Sequence, residues 1–76
     1  MMPILMAKPG EVVTIARVTG SPNIRQRLGE LGFVPGTKVD VIQSHGGDMI
    51  VKVKDSKLAL TREMAAKIMM EMQPQA

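Results

Sequence analysis

Val34-Pro35-Gly36-Thr37-Lys38-Val39-Asp40-Val41-Ile42-Gln43-Ser44-His45-Gly46-Gly47-Asp48-Met49-Ile50-Val51-Lys52-Val53-Lys54 reads as a turn, a strand, a second turn and a returning strand. Pro35 and Gly36 stand at the two central positions of a type II turn, where proline presets φ and glycine supplies a positive φ. Lys38 to Gln43 then alternates, with Val39 and Val41 on one face and Lys38 and Asp40 on the other, the period of a half-buried strand. Ser44 to Asp48 is expected to be a loop whose glycines suit a hairpin, and Met49 to Lys54 alternates again as the returning strand. A meander of this kind has one face to bury.

Working outward toward the N-terminus, Ser21-Pro22 is a helix start: the Ser21 hydroxyl can cap free backbone N–H groups, and Pro22 at the first helical position forfeits no bond. The helix is expected over about residues 21–31. Ile24, Leu28 and Leu31 fall at i, i+4 and i+7 on one face, so all three, with Phe33, are expected to pack on the core, while Arg25, Arg27 and Glu30 point elsewhere. Gly32 suits the left-handed conformation that ends helices, and Phe33 beyond it can fold back onto the apolar face. Gly29 costs about 1 kcal/mol in a helix interior relative to alanine, which suggests close approach of another backbone. Upstream, Glu11 to Val18 is rich in β-branched residues and has the length of a strand, preceded by a turn at Lys8-Pro9-Gly10 and an extended segment or arm at Met1 to Met6.

Toward the C-terminus, Asp55-Ser56-Lys57 reads as a turn and Leu58-Ala59-Leu60 as a short strand. Thr61 can cap a helical turn over about 61–66, and Lys67 to Met72 can form a last strand. The fold class expected is mainly β: a small, closed or nearly closed barrel of about five or six short strands with one inserted helix. Residues 1–76 make a single domain with its core in about 7–72 and a frayed tail at 73–76, since 76 residues with 45% hydrophobic content support one core and not two.

The same composition excludes several function classes. Zero cysteines remove disulfide frameworks, cysteine zinc sites and thiol catalysis together. No apolar run approaches the length of a membrane helix, and the apolar start lacks a basic leader, so a cytoplasmic protein that meets a membrane only through a partner is the expectation. One histidine, no tyrosine, no tryptophan and no paired acids argue against an enzyme, and no cofactor motif is present. Ser44-His45-Gly46-Gly47 lacks the Gly-Lys-Ser/Thr ending of a phosphate loop.

Weaker candidates remain. His45 and Asp48 offer two metal ligands, short of the three or four of a stable site, and they are the metal candidates of this chain. Eight methionines can bind soft Cu(I), but Met1, Met2, Met6, Met64, Met69, Met70 and Met72 more simply fill a core that has Phe33 as its one aromatic ring, or form a sticky patch. Met69 and Met70 in such a patch could serve a partner or a weak homo-oligomer. The net charge of +3 invites nucleic-acid binding through Lys52, Lys54 and Lys57, yet the stacking rings of a single-strand groove are missing, and lysines on a solvated edge explain the pattern as well.

Pro9-Gly10-Glu11, Arg25 to Thr37, Gly47-Asp48-Met49-Ile50, and Leu58-Ala59-Leu60 with Ala65 and Ile68, in this order and spacing, resemble the FeoA family of small cytoplasmic proteins of bacterial ferrous iron transport. The resemblance implies a Src-homology-3-like barrel. It also implies an accessory or regulatory role beside FeoB, a membrane permease carrying a cytosolic GTPase domain. Carried over by position, it points to Arg25, Arg27, Leu28, Glu30, Gly32, Phe33, Pro35 and Gly36 as the partner-binding segment. Leu28 and Phe33 in that set also suit a core, and Gly32, Pro35 and Gly36 suit backbone geometry, which leaves Arg25, Arg27 and Glu30 as the contact candidates. The alternatives are a nucleic-acid-binding barrel and a transition-metal sensor or carrier.

Overall fold

The computed structural model describes residues 2–71. Six strands and two helices follow in order: β1 (Met2–Pro3), a 3-10 turn at Ile4–Met6, β2 (Val12–Val18), α1 (Pro22–Glu30), β3 (Lys38–His45), β4 (Asp48–Val53), β5 (Ser56–Leu60), α2 (Arg62–Lys67) and β6 (Ile68–Met70). The strand order is β1-β6-β2-β3-β4-β5, antiparallel throughout.

β2 is the strand that joins the two halves. Its first part pairs with β3 (Val13 opposite Val39) and its second with β6 (Val18 opposite Ile68), and the register shifts between Ile15 and Arg17. A bulge bends and twists a strand. Here it lets one strand serve both halves, so the sheet curls around a core of Ile4, Val13, Ile15, Leu28, Phe33, Val39, Val41, Met49, Val51, Val53, Leu60, Ala65 and Ile68. The remaining edges are β1 and β5, and α2 touches both of them as well as β4 and β6. The gap between the edges is thus spanned by a helix whose Ala65 is fully buried.

Turn chemistry explains most boundaries. Glu11 N–H donates to the Lys8 carbonyl and Gly10 has φ 92°, closing the turn before β2. Thr37 N–H donates to Val34 O at 3.1 Å with Gly36 at φ 91°, and Ile15 exchanges both backbone bonds with Gly36 and Thr37, which ties this turn to β2. Ser21 and Thr61 cap α1 and α2 through the N–H groups of Ile24 and Met64.

Several expectations are corrected. Of Met1 to Met6, read as an extended segment or an arm, Met2–Pro3 is extended and pairs with β6, and the rest is a 3-10 turn that buries Ile4 completely; Met1 lies outside the described residues. The hairpin after β3 is tighter than the Ser44 to Asp48 loop: Gly46 and Gly47, both at positive φ, form a two-residue turn, and His45 pairs with Asp48 inside the strands. The next turn is Lys54-Asp55, not Asp55-Ser56-Lys57, because both residues accept positive φ (50° and 67°) and Ser56 already pairs with Val53. β6 is Ile68–Met70, shorter than 67–72, since Lys67 closes α2; Met72 and the tail at 73–76 lie outside the described residues. Among the described residues the fully buried methionine is Met49, on a strand, while Met69 and Met70 are half-buried and Met6 is exposed.

Candidate functional site

α1 and the turn after it carry most of the candidate residues, and they sit outside the sheet. α1 shares no extensive contact with another element among the described residues, and Leu28 is its one buried residue. Polar side chains therefore cover most of its surface, with Asn23, Arg25, Gln26, Arg27 and Glu30 all exposed.

α1 is fastened at both ends: Ile24 packs half-buried against the core and Thr19, just ahead of the helix, donates to the Lys67 carbonyl at the end of α2, while a backbone cap holds the C-terminal end. Phe33 N–H donates to Leu28 O and Gly32 N–H to Gly29 O, each at 3.0 Å, with Gly32 at φ 110°. This pair of bonds is the Schellman arrangement, and its usual apolar contact is supplied by Phe33 and Leu28, both in the core. Burying one leucine and one phenylalanine contributes on the order of 1.5–3 kcal/mol each, which anchors a helix too short to hold by itself. Lys54 leans over the same terminus: a Cβ on Gly32 would lie 3.7 Å from Lys54 Cδ.

Two expectations about this segment do not hold. Leu31 is 40% exposed: it is the C-cap residue, still helical, and Phe33 folds back past Gly32 to take the place on the core beside Leu28. Gly29 has no close neighbour, since a Cβ built on it meets nothing within 4 Å.

The candidate residues thus divide by position. Leu28, Gly32 and Phe33 are inside and can shape a contact surface only by holding it, whereas Arg25, Arg27, Glu30, Pro35 and Gly36 face solvent. Leu31 and Val34, each 40% exposed, add apolar area beside them. A groove of about 260 Å³ between α1 and α2, lined by Asn23, Ile24, Arg27 and Met64, offers an apolar notch next to a guanidinium. Asn23, Ile24 and Met64 did not stand out as site residues in the sequence, because nothing in local spacing shows that Met64 on α2 comes beside α1.

His45 and Asp48 are brought together as the pair that closes the β3–β4 hairpin. Asp48 Oδ1 already accepts the Arg62 N–H at 3.2 Å, which helps start α2. Among the described residues no group of three or more metal-ligating side chains gathers. Lys52 and Lys57 face each other across β4 and β5, while Lys54 lies in the turn. No helix of the described residues is long and apolar enough to cross a membrane.

Comparison with known proteins bears on the fold and the family. The FeoA domain model matches residues 2–72. A protein of Methanocaldococcus jannaschii provisionally named Fe(2+) transport protein A is 37% identical over 71 residues, spanning 93% of this chain and 87% of that one. The crystal structure of an iron uptake regulatory protein, FeoA, superposes with a TM-score of 0.84 at 28% identity, covering 91% of this chain and 93% of the other. The zinc complex of FeoA from Stenotrophomonas maltophilia, described as a prokaryotic SH3 domain protein, superposes at 0.83 with 23% identity over 93% and 91% of the two chains, a likeness of fold. The barrel is Src-homology-3-like.

Proposed function

Because this chain belongs to the FeoA family, we propose that it is a non-catalytic accessory protein of ferrous iron uptake that works by binding a protein partner. The partner is a FeoB-type permease, engaged through its cytosolic GTPase domain, and the contact adjusts transport or nucleotide hydrolysis. The observation that carries this reading is the placement of α1: a nine-residue helix that turns Leu28 and the half-buried Ile24 inward and leaves Arg25, Gln26, Arg27 and Glu30 exposed to another molecule.

The chemistry of the segment suits such a contact. Arg25 and Arg27 present guanidinium groups, which recognise carboxylates in a two-pronged geometry, and Glu30 adds the opposite charge one turn on. Leu31 and Val34 supply apolar area, and Pro35-Gly36 presents a rigid turn whose backbone is already bonded to β2. Charged rim groups of this type govern encounter rate and partner choice more than total affinity.

Calorimetric titration of the GTPase domain with the wild-type chain and with an Arg25→Glu/Arg27→Glu variant tests this. Both arginines are exposed, so the variant is expected to fold with an unchanged far-UV spectrum. Its affinity is expected to fall at least ten-fold, about 1.4 kcal/mol. Unchanged affinity in a folded variant would move the interface away from α1.

A further inference from the structure

β5 is an edge strand whose outer side is open. Its two-residue turn to β4 makes Val53 and Ser56 a hydrogen-bonded pair, so Leu58 and Leu60 also bond toward β4. Lys57 and Ala59 then direct their N–H and C=O groups outward, where both residues are exposed and no backbone partner reaches them among the described residues. α2 covers the other end of this hairpin, where the Arg62 side chain lies over Gly47.

The side chains along this edge carry a pattern. Across the outer face, Asp40 on β3 stands opposite Lys52 on β4, which stands opposite Lys57 on β5. The row reads acid, base, base. Like charges directly opposite one another destabilise a sheet. A lysine on an edge discourages aggregation, but that purpose needs Lys57 alone and leaves its pairing with Lys52 unexplained. A further strand with an acid opposite Lys57 would set a negative charge beside the paired lysines and offset their repulsion. On the inner face, the half-buried Leu58 would gain an apolar neighbour.

We propose that β5 is a docking edge for an extended acidic segment of a partner protein, which adds as an antiparallel strand with a carboxylate opposite Lys57, an apolar residue opposite Leu58 and a β-branched residue opposite Ala59. Main-chain bonds to Lys57 and Ala59 supply the affinity, and the Lys52–Lys57 pair selects the acid. This surface is distinct from α1 and does not depend on the identity of the partner that α1 meets.

The test titrates the isotope-labelled full chain by NMR with acetyl-Thr-Thr-Val-Glu-Thr-Thr-amide, with the same peptide carrying Lys in place of Glu, and with a thymidylate decamer. The glutamate peptide is expected to shift the Lys57 and Ala59 amides at millimolar concentration and slow their hydrogen exchange. The lysine peptide is expected to bind roughly three- to ten-fold more weakly. In a Lys57→Glu variant, whose free spectrum keeps the wild-type dispersion, that order inverts. Absence of shifts, equal binding of the two peptides, or shifts at Lys52 and Lys57 from the decamer alone would overturn the proposal.

Discussion

The same substitution, glycine to alanine, is expected to act with opposite sign at two positions three residues apart. Gly29 lies in the last turn of α1 in helical conformation, and an added Cβ meets nothing within 4 Å. Alanine there lowers the entropy of the unfolded chain without a clash, so Gly29→Ala is expected to stabilise the protein by about 0.5 kcal/mol, the lower end of the range because the position is near the helix end. At the buried Gly32 an added Cβ would meet Val53 Cγ2 at 3.5 Å and Lys54 Cδ at 3.7 Å, ordinary van der Waals contact without a clash. Its cost comes from the backbone: φ of 110° is a conformation that side chains disfavour, and Gly32→Ala is expected to destabilise by about 1–2 kcal/mol. In urea, with a slope of roughly 1 kcal/mol/M for a small domain, the midpoints move about 0.5 M upward and about 1–2 M downward. Equal slopes would show that stability changed while the surface exposed on unfolding did not. If Gly29→Ala destabilises, some other group closes on that helix face, and if Gly32→Ala is neutral, the cap is not what fastens the C-terminal end of α1.

Leu28→Ala is expected to cost about 2–5 kcal/mol and Leu31→Ala about 0.5 kcal/mol or less, measured by the same denaturation, because one leucine is fully buried and the other is not. Equal losses would put Leu31 back on the core. At the β4–β5 turn, Lys54→Asn with Asp55→Gly places the preferred residues at φ 50° and 67° and is expected to stabilise by about 1 kcal/mol, read as a rise in melting temperature. A drop would mean that the Lys54 contact at the α1 terminus outweighs the strain.

The fold was largely legible in the residues. Pro35-Gly36, Gly46-Gly47 and the strict alternation of β4 each tie a local conformation to a residue type, and the Ser21-Pro22 cap and the Gly32-Phe33 stop bracket α1 within a residue at either end. Boundaries slipped where chemistry was less demanding: two non-glycine residues at positive φ moved the second hairpin turn to Lys54-Asp55, and Ile4 entered the core from a segment read as an extended stretch or an arm, outside the expected core of about 7–72. Helical spacing put Leu31 on the apolar stripe, but Phe33 returns through the cap and fills that place on the core. The partner segment was visible as a motif, whereas its division into a buried anchor and an exposed rim needed the packing. The groove beside Met64 and the Asp40–Lys52–Lys57 row were not legible, because both depend on elements that meet only in the folded chain.

The central claim, that α1 and the following turn receive the partner, is tested most directly by mapping amide shifts of the labelled chain on addition of the soluble GTPase domain of the FeoB-type permease, with and without guanine nucleotide. The account predicts shifts clustered on the exposed residues between Arg25 and Gly36 and on the groove residues Asn23, Ile24 and Met64. Binding that leaves this cluster unshifted and perturbs another face would contradict it.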